Sequence, residues 1–161
     1  MWSSDRRSLL IFLALAGCGF TPALGTDGSA QRLMGRIWPQ VPQDQSGFAF
    51  VKQIAARLGR VEQRDFDLTY TITTLSDGVG ITPEGAITRY NLTGTVVWTL
   101  ARHADGLRMA GGTVSNFTSY SATGSTVAGL AARQDAARRL MVVLADQVVA
   151  RMLAASVRFA A

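Results

Sequence analysis

The chain is poor in the residues that most often carry catalysis and cross-linking. Its 161 residues include one cysteine, one histidine and four prolines, and Lys52 is the only lysine. A single cysteine excludes an intramolecular disulfide. One histidine and one cysteine cannot furnish a usual zinc set, so no metal site is expected. A Ser-His-Asp triad would have to use His103, which stands beside a predicted hairpin turn with no nucleophile elbow near it. Asp77-Gly78-Val79-Gly80 reads as a loop, and neither GxGxxG nor GxxxxGK(S/T) spacing occurs to cradle a phosphate. Long charged tracts and low-complexity runs are missing too, which argues against disorder. No catalytic residue and no cofactor is expected, and the chain reads as a non-enzyme.

The positive charge that is present is nearly all arginine. Lysine and arginine together number 16 against 11 acidic residues, a formal net charge of +5. Guanidinium groups favour planar, two-pronged contacts with phosphate or carboxylate. Nucleic acid is not the expected partner, because the N-terminus carries an export signal. Arg6 and Arg7 form a basic start, and Leu9–Leu15 forms an apolar run of seven residues. That run is far shorter than the roughly 20 residues of a spanning helix, and it matches a signal peptide. Small Ala16 and Gly17 then lead into Cys18.

Leu15-Ala16-Gly17-Cys18 resembles the bacterial lipobox. The resemblance implies cleavage after Gly17, a diacylglycerol on the Cys18 thiol and an acyl chain such as palmitate on the new amine. Residues 1–17 are then the signal peptide, and the covalent lipid on Cys18 is the membrane anchor. Several chains are needed for durable anchoring, since one gives only reversible binding. Gly19 stands where an Asp would mark inner-membrane retention in the enterobacterial pattern, so the expected location is the periplasmic side of the outer membrane. Residues 18–30, rich in Gly, Thr, Ser, Ala and Pro, read as a flexible tether. Residues 31–161 read as one domain.

Within that domain, Leu33–Trp38 reads as a short strand ended by Pro39 and Pro42. Apolar residues at 48, 51, 54 and 58 mark one face of a helix, capped by Asp44 or Ser46 and closed by Gly59. Phe66, Leu68, Tyr70 and Ile72 alternate with polar residues as a strand. Tyr90, Leu92, Val96, Trp98 and Leu100 share one face of the next, with Gly94 leaving a gap. Asp105-Gly106 makes a hairpin turn into a third strand, Leu107 to about Tyr120, small and polar enough for an edge or for contact with another protein. A long helix from about Thr126 to Ala155 follows, N-capped by Ser125. Its apolar stripe includes Val127, Leu130, Ala131, Met141, Leu144, Val148 and Met152, and its Asp and Arg residues read as charge pairs on a solvated face. Asn91-Leu92-Thr93 and Asn116-Phe117-Thr118 match the glycosylation tripeptide by chance. The expected fold class is α+β: a small mixed, mostly antiparallel four-stranded sheet with two helices packed on one face.

Several stretches, in order, resemble a known family. Cys18-Gly19-Phe20-Thr21-Pro22 looks like a mature start, Thr88–Leu92 like a central strand and Ser119-Tyr120 like the end of a last strand. Ala131–Ala136 and Leu144–Val148 look like a final helix. Together they resemble the LptE lipopolysaccharide-assembly lipoproteins in their alphaproteobacterial form. The chain departs from the pattern at Ala23-Leu24, where relatives often carry a Tyr just before the Gly. The resemblance implies a lipoprotein that assists assembly of a large outer-membrane β-barrel, LptD, plugs it, and takes part in lipopolysaccharide transport to the outer leaflet. Arg89, Arg102 and Arg108, on or near strand ends, are then candidates for lipid A phosphates. The competing expectation is an auxiliary periplasmic lipoprotein of an ABC-type lipid transporter.

Overall fold

The computed structural model describes residues 29–122 and 125–160. The expected signal peptide, Cys18 and most of the expected tether lie outside the described residues. A 3-10 turn, Ser29–Arg32, leads into β1 (Ile37–Pro39) and α1 (Gln45–Leu58). Three strands follow: β2 (Phe66–Ile81), β3 (Ile87–Arg102) and β4 (Arg108–Ser121). The chain closes with α2 (Thr126–Ser156) and a 3-10 turn, Val157–Ala160. The sheet runs in the order β1-β2-β3-β4, with β1 parallel to β2 and the other pairs antiparallel. This is the expected α+β class.

Short-range chemistry sets the element boundaries. Asp44 caps α1, its side chain accepting from the Gly47 amide at 2.7 Å. Gly59 closes α1 at φ 82, a left-handed value that favours glycine. Ser125 caps α2 by accepting from the Ala128 amide at 3.3 Å. At the β3–β4 turn, Gly106 takes φ 70 and Asp105 accepts from the Leu107 amide at 3.0 Å. The turn is where the Asp-Gly pair placed it.

Four expectations need correction. The first strand begins only at Ile37, because Gly35 at φ 67 turns the chain and its amide donates to the Leu58 carbonyl. Leu33 is fully buried nonetheless, through the turn rather than through a ladder. On α1, Phe50 rather than Phe48 enters the core; the buried line is Gly47, Phe50, Ile54 and Leu58, and Phe48 is exposed. Asp77–Gly80 is not a loop: β2 continues through it to Ile81, with register breaks on both sides of Gly80. Glycine suits such a bulge, where backbones come close; a Cβ at Gly80 would meet the Thr88 hydroxyl at 2.6 Å. Last, the start of the α2 stripe is not buried. Val127, Leu130 and Ala131 are exposed, and continuous burial begins at Ala136.

The core lies between the sheet and the two helices. From β2 and β3 it takes Leu68, Leu92, Val96, Trp98 and Leu100; from α2 it takes Leu140, Met141, Leu144, Val148 and Met152. Each such side chain, fully buried, stabilises the fold by about 1.5–3 kcal/mol. Gly94 sets how closely α2 approaches the sheet. A Cβ there would lie 2.8 Å from Leu144 and 2.9 Å from Leu140. The gap read in the β3 pattern is therefore filled by two leucines of the helix.

Candidate functional site

The two helices differ in length, and the difference opens a cleft. α2 has 31 residues and α1 has 14, or about 46 Å against about 21 Å at 1.5 Å per residue. The first three turns of α2 run past α1 above the far end of the sheet. Beneath them lies a hollow of about 630 Å³, lined by Ser76, Tyr90, Tyr120, Leu130 and Arg133 among others. A second, of about 260 Å³, reaches toward α1 at Ser46 and Ala49 and shares Leu130 and Arg133 with the first. The two form one cleft with an apolar floor and a cationic lip.

Cross-strand register builds the aromatic wall. Tyr90 faces Tyr120, which stacks the rings with centroids 5.4 Å apart and planes 18° from parallel. The Tyr120 hydroxyl lies 3.2 Å from the Ser76 hydroxyl. On the helix side, Arg138 and Arg139 both bind Asp135, at 3.1 and 2.7 Å. Arg133 has no carboxylate partner among the described residues, so its charge faces the cleft uncompensated. Arg133 was not singled out from the sequence, where it read as part of a solvated helix face. Its position three residues after Leu130 and four before Ala137 was the available signal.

The three arginines singled out do not converge. Arg102 holds Asp105 at 3.1 Å and lies near the Met109 sulfur at 3.6 Å. Arg108 folds back over Gly111, beside the same hairpin. Arg89 is at the opposite end of β3, in register with Ser121 and Gly80. Thirteen residues separate it from Arg102, about 43 Å of strand. Of the three, only Arg89 is at the end where the cleft opens, and strand alternation turns it to the opposite face from Tyr90.

His103 belongs to an ion-pair cluster at the hairpin end. Its Nδ1 is 2.7 Å from Asp67, which also binds the Arg64 Nε at 2.7 Å. Partial burial alone would raise the Asp67 pKa, but the hydrogen bonds from Arg64 and His103 outweigh it and hold the carboxyl below its usual range. The Arg64 guanidinium in turn sits 5.2 Å above the Trp38 ring. No group of three metal-binding side chains occurs among the described residues.

The face of the sheet turned away from the helices is the other large feature. Strand alternation places Thr69, Thr71, Thr73 and Leu75 of β2 there. Thr93, Thr95, Val97 and Thr99 of β3 join them, with Thr113, Ser115 and Phe117 of β4. In register, the rows read Thr71–Val97–Thr113, Thr73–Thr95–Ser115 and Leu75–Thr93–Phe117. Not one of these positions is ionisable. Leu75, Val97 and Phe117 are more than half exposed, at 62%, 53% and 63%.

Residues 36–152 match the model of the family described as LptE, lipopolysaccharide-assembly. The chain belongs to the LptE family. Solved structures agree with the fold of that family chain. A lipoprotein from Caulobacter crescentus superposes with a TM-score of 0.67 at 15% identity, covering 80% of this chain and 96% of its own. Rare lipoprotein B from Shewanella oneidensis gives 0.60 at 12% identity, covering 77% and 96%. A minor lipoprotein from Acinetobacter baumannii gives 0.55 at 16% identity, covering 74% and 89%. Among curated proteins, none matches the chain in sequence. The LptE assignment agrees with the family resemblance read from residues 18–22, 88–92, 119–120, 131–136 and 144–148, though the first of those stretches precedes the matched range.

Proposed function

We propose that this LptE-family chain is an outer-membrane lipoprotein that assists assembly of an LptD-type β-barrel, plugs it, and takes part in lipopolysaccharide transport to the outer leaflet. The observation that carries the reading is the family match across residues 36–152. The hydroxyl-rich middle of the outer sheet face, uncharged from Thr69 to Leu75 of β2 and from Thr93 to Thr99 of β3, supports it, because the lumen of a large barrel is polar and wet. Threonine and serine exchange hydrogen bonds with such a wall without the cost of burying a charge. A lipid on Cys18 holds the domain at the membrane, and the protein acts by binding rather than by catalysis.

The cleft supports contact with lipopolysaccharide. Phosphate is attracted by Arg133, while the Leu92, Leu130 and Ala137 surface suits a hydrocarbon chain. Arg89 is at the same end of β3 but on the opposite face of the sheet. Arg102 and Arg108 offer a separate cationic point at the hairpin end.

Pull-down of the tagged lipoprotein from gently solubilised membranes tests the reading. A large, heat-modifiable outer-membrane protein is expected in the eluate. Recovery with inner-membrane transporter components instead supports the ABC-type auxiliary role and ends the barrel reading. For the anchor, Cys18→Ala is expected to leave an uncleaved or soluble form. An unmodified thiol at Cys18 in the wild type, found by mass spectrometry, removes the lipid anchor.

A further inference from the structure

The two edges of the sheet are protected very differently. The β1 edge is three residues long and ends in Pro39; shortness and proline both blunt an edge against pairing. The β4 edge is 14 residues long, and after Arg108 it holds no charged residue and no proline. Two of its backbone groups show which way the edge faces. The Phe117 amide donates to the side chain of Asn116 at 2.7 Å, and the Ser119 carbonyl accepts from Arg139 at 3.4 Å, so neither points into the β3 ladder. In an antiparallel pair, alternate residues point their N–H and C=O to the same side. Thr113 and Ser115 therefore also present free backbone groups outward, along an edge continuous with the uncharged sheet face.

We propose that the β4 edge receives an added strand: an uncharged, extended segment of the larger envelope protein that this chain assembles with. The proposal rests on the reading above and names the surface it uses. Main-chain hydrogen bonds to Thr113 and Ser115 supply the pairing, since the Phe117 amide and the Ser119 carbonyl already have side-chain partners, and side chains alternate onto the hydroxyl face. A second copy of the chain is the poorer occupant on two counts. Edge to edge, it brings together two chains that each stay net positive after loss of residues 1–17. Face to face, the three uncharged rows of three strands cover about 300 Å², short of the roughly 800 Å² per partner of a stable interface.

Two variants of the full-length lipoprotein, expressed in its host, test the edge. Ser115→Pro removes an outward amide and no backbone ladder bond, together with the Ser115 hydroxyl that donates to the Gly94 carbonyl at 3.1 Å, and Thr113→Lys places a guarding charge beside the edge with no such loss. Thermal melting of each purified variant reports folding. Both are expected to melt with the wild type and to recover the larger protein at least about tenfold less well, the loss expected from roughly one strong contact. Should Ser115→Pro misfold, Thr113→Lys decides alone. A photo-crosslinking amino acid at position 115 reads the occupant directly. An adduct with a much larger protein supports the proposal; an adduct of two chains, or none, overturns it even where pull-down succeeds. Undiminished recovery by a folded Thr113→Lys variant also overturns it. A wild-type pull-down lacking any barrel removes the functional reading instead, and the position 115 adduct still judges the edge.

Discussion

The two halves of α2 are built for different purposes. From Ala136 to Met152 the helix presents Leu140, Met141, Leu144 and Val148 to the sheet, each with at most 1% of its surface exposed. From Thr126 to Asp135 it carries apolar residues as well, yet Val127 is 78% exposed and Leu130 56%. The sequence pattern is continuous across both halves; the surroundings are not. α1 backs only the second half, and the sheet beneath the first half ends in tyrosines and small residues. Apolar surface left uncovered on a packed scaffold is available to something else. The lesson is that helical periodicity reports a capacity for burial, and the neighbouring elements decide where that capacity is used.

Matched truncations break the comparison most sharply. Leu144→Ala is expected to cost about 2–5 kcal/mol, because it opens a cavity against Gly94 and the sheet. Leu130→Ala, fourteen residues earlier on the same helix, is expected to change stability by no more than about 0.5 kcal/mol. Urea unfolding of the two purified variants measures both. Equal losses at the two sites would show that the first turns of α2 belong to the core after all.

Filling the one gap in β3 is the next largest effect. Gly94→Ala forces a methyl group into the space held by Leu140 and Leu144, and α2 must shift to admit it. A loss of about 1–3 kcal/mol is expected, measurable by thermal melting. A neutral or stabilised Gly94→Ala would mean that the helix rides higher on the sheet than described.

The free half of the helix depends more on its cap than on packing. Ser125→Ala removes the hydroxyl that accepts from Ala128 and is expected to cost about 0.5–1 kcal/mol. The loss should be local. Amide hydrogen exchange is expected to quicken between residues 126 and 135 and to stay unchanged beyond Leu140. Quickening throughout α2 would contradict the division between the halves.

Much of this architecture was legible in the residues. Element order, the α+β class, the Asp105-Gly106 turn and the Ser125 cap follow from local chemistry that works within a few residues. The misreadings have a common cause. Asp77-Gly78-Val79-Gly80 carries loop chemistry, but β3 supplies a partner across it and holds it in the sheet as a bulge. Phe48 and Phe50 both fit a helical stripe, and only the position of Tyr70, 4.9 Å from Phe50 between ring centroids, selects Phe50. The cleft was invisible for the same reason. Arg133, Tyr90 and Tyr120 lie far apart in the chain and meet only through strand register and helix length.

The smallest expected effect concerns the bond that ties α2 to the shorter helix, within the packed half. Asp146 accepts from the Arg57 Nε and Nη2, both at 2.8 Å, and from Gln53 at 2.8 Å. The hydrogen bond from Arg57, chiefly, holds the Asp146 carboxyl below its usual range, against the opposing effect of burial. A carboxyl depressed on folding stabilises the fold above its unfolded value, near pH 4, and loses that contribution as pH falls through the lower folded value. The pair is well exposed, so the effect is modest. Asp146→Asn is expected to lower the melting temperature by no more than about 3 °C at pH 7. The gap between wild type and variant should hold from neutral pH down to about pH 5 and close only as pH falls through the lowered folded value of the carboxyl. A gap that persists undiminished in acid would mean that the residue contributes by shape and neutral hydrogen bonding, and that charge does not tie the long helix to the short one.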